Sequence, residues 1–148
     1  MSNFEKNYEL ALNNAKRLSD KILIDGKLIS AQTDKKIPVL NPSTGENIGS
    51  APQCDKNDVN IAVESAFKAF QKWKKIPARE RGKMVAAGAK RLEERKSEIE
   101  TLLSLDTGNA LRTQAVPETA ASIELTNMFA GLSGELKGEN YPPNIPNT

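Results

Sequence analysis

The sequence predicts a mostly α-helical chain with one or two β-hairpins, and two observations support this. Over three long stretches, apolar residues recur at steps of three, four or seven, which is the period of a helix with one buried side. Ahead of them, short apolar runs flank an Asp-Gly pair and an Asn-Pro-Ser-Thr-Gly stretch, which are turn signals between strands. With 148 residues, the chain is at most one domain.

Composition excludes several classes of function. The chain is 38% hydrophobic and 27% charged, as is usual for a globular protein. Its net charge of +2 gives no electrostatic reason to expect binding to nucleic acid or to an anionic membrane. No apolar run approaches the roughly 20 residues of a membrane span, and the N-terminus lacks the apolar run of a signal peptide. One cysteine permits no internal disulfide and favours a reducing, cytoplasmic compartment.

The first half of the chain predicts an N-terminal helix and two strand pairs. Residues 1–20 form an amphipathic helix or arm with a stripe from Tyr8 to Leu18, which needs a surface to lie on. Asp25-Gly26 predicts a hairpin between residues 22–24 and 28–29. A second extended pair, residues 37–40 and 47–51, flanks the turn residues 41–46.

The next helix carries the richest apolar stripe in the chain. Asp55 or Asn57 can cap its start, and Pro77 ends it and suits the first turn of the following helix. Its apolar face is broad, and we expect it to cover a β-sheet that these 148 residues do not include. The face consists of Val59, Ala62, Val63, Ala66, Phe67, Phe70 and Trp73.

Residues 78–110 predict two helices that meet near residues 95–97. Ser97 and Glu100 match the S-x-x-E capping box, and Gly108 suits a left-handed helix end. A third helical region begins at residue 111 and is interrupted by Pro117, because proline lacks a backbone donor. Residues 141–146 predict a proline-rich, non-helical end.

No catalytic constellation follows from the spacing of residues. The chain has no histidine, which removes the commonest general base and metal ligand. Cys54 stands near a helix start without a base, so we do not assign it as a nucleophile. Asp106 has two interpretations: it hydrogen-bonds the turn at Thr107-Gly108, or it supplies an oxygen ligand to a cation.

Several blocks in order resemble the N-terminal third of an NAD(P)-dependent aldehyde dehydrogenase. They include the hairpin at residues 23–27, the "NP-(A/S)-TGE" block at residues 39–46, and the "LDTGKPL" block at residues 105–111, where Asn-Ala replaces the usual Lys-Pro. The segment at residues 130–138 resembles the "AG…HG" block, with lysine where histidine often stands. The resemblance runs from about residue 21 to residue 148.

This resemblance implies an α/β parent fold with a Rossmann-type cofactor domain. It implies oxidation of an aldehyde to a carboxylic acid with NAD or NADP, in a homodimer or homotetramer. Residues 21–148 then correspond to the first part of the cofactor-binding and oligomerisation region. The catalytic cysteine, the base and the pyrophosphate site lie further along such chains. We therefore expect a fragment that contains no catalytic or cofactor-binding residue and is inactive alone.

The resemblance also implies two sites. A monovalent cation is expected at Val39, Leu40 and Asp106, through backbone oxygens and the carboxylate, with a further ligand beyond residue 148. Ala121 or Leu125 is expected near the substrate entrance, and packing in the core is the alternative for both. A different class of function stays open: a non-catalytic helical interaction module that uses the 8–18 stripe and the 59–73 face.

Overall fold

The computed structural model describes residues 3–135 and 137–139, and it confirms a mostly helical chain with two antiparallel strand pairs. The expected proline-rich end at residues 141–146 lies outside the described residues. In chain order the elements are α1 (Asn3–Leu18), β1 (Lys21–Ile24), β2 (Lys27–Ser30), β3 (Lys36–Leu40), β4 (Asn47–Pro52), α2 (Lys56–Trp73), α3 (Ala78–Glu94), α4 (Lys96–Thr107), a π-helical turn (Leu111–Ala115), α5 (Val116–Gly131) and a 3₁₀ turn (Leu132–Gly134).

Helix α1 lies across α4 and strand β4, and their contact forms a small core. Its centre is Ala11, Ile48 and Leu105, all buried, with Tyr8 and Leu12 packed around them. Asn14 Nδ2 donates to Glu98 Oε1 at 2.7 Å, which ties α1 to α4. The N-terminal stripe therefore finds its surface within the chain.

The two predicted strand pairs are confirmed. Strands β1 and β2 pair antiparallel, and Asp25 and Gly26 both have positive φ, 51° and 71°. Two successive positive φ values match the right-handed twist of the strands, which is why Asp-Gly is favoured there. Strands β3 and β4 pair with an irregularity between Val39 and Leu40, where β4 carries one extra residue.

Helix α2 begins at a capping box but leaves its apolar face uncovered. Asp55 accepts from the backbone N–H of Asn57 and of Asp58, which confirms one of the two predicted caps. The apolar stripe is exposed at Val63, Phe67 and Phe70, and 63% of Phe67 is accessible. The main contact of α2 is with β1, so most of the stripe has no partner among the described residues.

The helices at residues 78–107 differ from the prediction in two details. Pro77 has an extended ψ of 142° and occupies the N-cap position before α3 instead of the first helical turn. The predicted Ser97–Glu100 capping box is wrong, because α4 begins at Lys96 and has no side-chain cap. Ser97 therefore lies inside the first turn. Gly108 ends α4 with φ 74°, as predicted.

The π-helical turn before α5 has a cause in the sequence. Ala115 N–H donates to the carbonyl of Ala110, five residues back, at 3.2 Å. Pro117 has no N–H to give to the carbonyl of Thr113, so the ordinary α-helical pattern cannot be completed there. The prediction that Pro117 interrupts the helical region is therefore confirmed.

Helices α3 and α5 pack closely because α3 has a glycine at the crossing. A Cβ on Gly82 would stand 2.1 Å from Ser133 Oγ and 2.5 Å from the Ala130 carbonyl oxygen. Ala89 of α3 and Ile123 of α5 are also buried. Within the part of the chain that the structure describes, none of the helices is long and apolar enough to cross a membrane.

Candidate functional site

Two of the motif blocks meet at the end of α4. Gly108 approaches the ring of Pro42 so closely that a Cβ on the glycine would stand 2.8 Å from Pro42 Cγ. The loop at residues 41–46 is held by Asn41, which is buried: its N–H donates to the Glu46 carbonyl at 2.8 Å, and its carbonyl accepts from Gly45 at 2.7 Å. The loop thereby places β3 beside the last turn of α4.

A cavity of about 390 Å³ opens next to this junction, between α1, the β3–β4 pair and α4. We call it the Asp106 cavity. Val39 and Asp106 both line it, whereas Leu40 does not and is half exposed. The full lining is Ala15, Leu18, Ser19, Val39, Ile48, Gly49, Ser50, Ile99, Leu102, Leu103 and Asp106.

The turn after α4 is closed without Asp106. Ser104 Oγ donates to the Asn109 carbonyl at 2.7 Å, and Asn109 N–H donates to Thr107 Oγ1 at 3.2 Å. The carboxylate of Asp106 makes no hydrogen bond or ion pair with any described residue, and Asp106 is exposed. The interpretation that Asp106 stabilises the turn is therefore wrong, because other oxygens do so.

The described residues supply an incomplete site for a bare monovalent cation. Such ions are held by several oxygens, and the cavity that Asp106 lines is walled mostly by aliphatic side chains. No group of three or more Cys, Asp or Glu side chains in the described ranges is arranged to hold a metal ion. The predicted cation site at Val39, Leu40 and Asp106 stays a prediction and requires oxygens from elsewhere.

The two residues predicted near a substrate entrance lie on the exposed side of α5. Ala121 and Leu125 are one helical turn apart and both are exposed. Ala121 and Leu125 therefore do not pack in the core of this chain, because the buried side of the helix carries Ile123 and Ala130. Their place at an entrance remains a prediction.

An apolar surface, interrupted in the groove along α2 by Asp25, Glu64, Lys68 and Lys72, spans two grooves on three helices, and the two grooves meet at Trp73. One groove, of about 860 Å³, lies along α2 and includes Ile61 and Phe70, and a second, of about 350 Å³, includes Val85 and Phe129; Trp73 lines both. Phe129 is 63% exposed. Monomeric proteins seldom leave large contiguous apolar patches in water. This surface therefore indicates a missing partner.

Asp58 is a structural residue that the sequence analysis missed. It is 2% exposed, and its carboxylate accepts from the Gln32 N–H at 2.8 Å and from the Asp55 N–H at 3.2 Å. It thus fixes the end of the first hairpin to the start of α2. The signal was the Asp-x-x-Asp spacing at residues 55–58, which is a variant of the capping box. Cys54, by contrast, is exposed and free.

Comparison with known proteins gives a consistent result. The sequence model of the aldehyde dehydrogenase family matches residues 28–148. Phenylacetaldehyde dehydrogenase of Pseudomonas fluorescens is 33% identical over 132 residues, which is 88% of this chain and 26% of that protein. The chain thus spans about a quarter of the length of the curated relatives it matches.

Solved structures extend the match to the fold. Betaine aldehyde dehydrogenase of Staphylococcus aureus, in complex with NAD⁺, superposes with a TM-score of 0.85 at 28% identity, over 95% of this chain and 28% of that one. The NAD-dependent benzaldehyde dehydrogenase of Corynebacterium glutamicum gives 0.79 at 30% identity, over 86% and 28%. The strand pairs and helices of the described residues are therefore the arrangement found in part of a larger α/β fold.

Proposed function

Because the chain belongs to the aldehyde dehydrogenase family, we propose that its 148 residues are the N-terminal scaffold of an enzyme that oxidises an aldehyde to a carboxylic acid with NAD or NADP. In that reaction a cysteine thiolate adds to the aldehyde carbonyl. The adduct then passes a hydride to the nicotinamide, and water activated by a glutamate hydrolyses the thioester. The acid, the reduced cofactor and a proton are released. On this proposal, none of the reacting groups comes from this chain.

The observation that carries the proposal is the apolar surface through Trp73. A helix packs one apolar stripe against a neighbouring layer, and in an α/β fold that layer is the sheet. Phe67 and Phe70 of α2 and Phe129 of α5 are each more than half exposed, and no such layer covers them among the described residues. We propose that a cofactor-binding sheet, not part of the described chain, covers this surface. NAD-bound relatives support the choice of cofactor.

The two predicted sites enter the proposal in the same way. We propose that Val39, Leu40 and Asp106 contribute to a monovalent-cation site that oxygens from other parts of the enzyme complete. We propose that Ala121 and Leu125 line the entrance for the aldehyde, where their small and aliphatic side chains suit an apolar substrate. We propose further that the full-length enzyme is a homodimer or homotetramer in a reducing, cytoplasmic compartment.

Two measurements test it. The purified 148-residue chain, mixed with phenylacetaldehyde and NAD or NADP, should produce no absorbance at 340 nm. A chimaera in which this chain replaces the matching quarter of the Pseudomonas fluorescens phenylacetaldehyde dehydrogenase should fold and regain turnover. A narrower chimaera that exchanges only residues 56–134 serves if the full exchange aggregates. Turnover by the chain alone, or a folded chimaera whose Trp73 surface still binds a hydrophobic dye, would contradict the proposal.

One observation favours the alternative of a non-catalytic interaction module. The core around Ala11 and Leu105 is built entirely from elements of this chain. Tyr8, Ala11 and Leu12 of the 8–18 stripe pack in that core, whereas Leu18 stays exposed, so only part of the predicted N-terminal interaction surface is open to a partner. A monodisperse chain with a cooperative melt would favour this alternative, whereas a scaffold should self-associate and melt gradually.

A further inference from the structure

We propose that the contact between Pro42 and Gly108 positions the ligands of the predicted monovalent-cation site, and that Asn41 fixes the loop side of this contact. The inference rests on the proposed function, in which β3 and Asp106 supply oxygens to that site. Carbonyl and carboxylate oxygens are the donors that hard cations take. Val39 and Asp106 line one cavity, so the structure brings the two ligand segments together. Asn41, Pro42 and Gly108 are not ligands on this proposal but positioning residues.

The contact lies equally near to both ligand segments along the chain. Leu40 is two residues before Pro42, and Asp106 is two residues before Gly108. A Cβ built on Gly108 would stand 2.8 Å from Pro42 Cγ and 3.6 Å from Pro42 Cβ, so this approach needs a glycine. Two residues of extended chain span at most about 7 Å. A change at the contact should therefore reach both ligand segments.

The β3 side of the contact is fixed by Asn41, which is 5% exposed. Besides the two backbone hydrogen bonds that close the loop, its Oδ1 accepts from the Ser43 N–H at 2.9 Å. Asn41 directly follows Leu40 and directly precedes Pro42. These bonds therefore restrict the backbone that joins a predicted ligand to the ring at the contact.

The α4 side is fixed by the turn that follows Asp106. The Gly108 N–H donates to the Ser104 carbonyl at 3.0 Å, and Gly108 ends the helix with a φ of 74°. The Asp106 carboxylate has no hydrogen bond or ion pair with any described residue. Within the described part of the chain, its placement relative to β3 therefore depends on the backbone of this turn and on where Gly108 meets Pro42.

The experiment uses the chimaera with the Pseudomonas fluorescens enzyme, whose remaining part supplies the further ligands. It measures the thermal unfolding midpoint against the concentration of potassium or sodium chloride, with tetramethylammonium chloride keeping the ionic strength constant. A cation that binds only the folded state raises the midpoint once its concentration exceeds the dissociation constant. We expect Pro42→Ala and Gly108→Ala each to raise that constant about tenfold, as when a residue that supports a metal ligand is lost. Asp106→Asn should abolish the dependence.

A contact that serves stability alone gives a different result. It would lower the midpoint by the same amount at every cation concentration and would leave the dissociation constant in place. Gly45→Ala is the matched control, because Gly45 has the same φ of 74° in the same loop and nothing lies within 4 Å of the added Cβ. Its cation dependence should equal that of the unsubstituted chimaera.

The outcomes separate this inference from the proposed function. An unchanged dissociation constant in Pro42→Ala and Gly108→Ala would overturn the positioning role, as would an equal change in Gly45→Ala. If Gly108→Ala does not fold, Pro42→Ala decides alone. A chimaera that turns over but whose midpoint ignores both cations would overturn the site and its positioning residues, while the proposed oxidation would stand. If the full exchange aggregates, a narrower exchange of residues 36–111 carries both segments and serves for every measurement.

Discussion

Replacing Gly108 by alanine should destabilise the chain for two reasons that can be separated. The backbone there has φ 74°, a conformation that residues with a Cβ adopt at a cost. The added Cβ would also stand 2.8 Å from Pro42 Cγ and 3.6 Å from Ser43 Oγ. Since Pro42 lies in a loop held by buried Asn41, its ring has little freedom to move away.

The structure allows the size of the effect to be worked out. The left-handed conformation costs alanine about 1–2 kcal/mol, of which about 0.4–1 kcal/mol is returned by a less flexible unfolded chain. Crowding a packed site adds about 1–3 kcal/mol. We therefore expect Gly108→Ala to lower the free energy of unfolding by about 1–4.5 kcal/mol, with about 3 kcal/mol as the central value.

Two glycines offer matched controls. Gly45 has the same φ of 74°, but nothing lies within 4 Å of a Cβ built on it. Gly45→Ala should therefore cost only about 1 kcal/mol. Gly88 lies inside α3 with ordinary helical geometry and open space around it. Gly88→Ala should stabilise the helix by about 0.5–1 kcal/mol.

The assay is urea unfolding followed by circular dichroism at 222 nm, with hydrogen exchange of the α4 amides as a local readout. A difference of 2 kcal/mol between Gly108→Ala and Gly45→Ala moves the urea midpoint by about 1 M. The double variant Pro42→Ala/Gly108→Ala should recover the steric part only. If Gly108→Ala costs no more than Gly45→Ala, the close packing of the two motif blocks is not rigid and the reasoning fails.

Three further outcomes are expected. Asp58→Ala should cost about 1–3 kcal/mol and expose the Gln32 amide to exchange, because a buried acceptor is lost. The Lys36 and Ser50 hydrogen bonds hold the pKa of Asp20 below its ordinary value. Its contribution to stability is therefore present at neutral pH and is lost as the pH falls below that ordinary value and through the lowered one. Phe67→Ser should reduce self-association in sedimentation velocity while changing stability by no more than about 0.5 kcal/mol.

Each of these outcomes has its own control. Asp34→Ala, on an exposed loop, should leave the urea midpoint in place. Asp20→Asn keeps a residue that tolerates the positive φ of 60° there. If the loss of stability at low pH is the same in Asp20→Asn as in the unsubstituted chain, the Asp20 carboxylate is not its cause. Ile123→Ser, at a buried position of α5, should destabilise strongly. If Phe67→Ser destabilises as much, α2 is packed after all.

The sequence alone predicted the features that depend on local chemistry. The Asp25-Gly26 turn, the Asp55 cap, the Gly108 helix end and the interruption at Pro117 each follow from what a few neighbouring residues permit the backbone to do. The ordered motif blocks likewise indicated the family, because a motif is recognised from neighbouring residues without knowing how the chain packs. The capping box at Ser97 failed although its pattern was present, because α4 begins at Lys96, two residues too early for Ser97 to cap it.

Only the tertiary structure decided which apolar stripes are covered. The apolar stripes of α1 and α2 look alike in sequence, yet Ala11 is buried and Phe67 is exposed to solvent. Periodicity shows that a helix has an apolar side, but burial depends on whether another part of the chain arrives there. The Asp106 cavity belongs to this second group as well. Its walls come from residues up to 91 positions apart, from Ala15 to Asp106, and the volume between them is set by packing, which no short segment records.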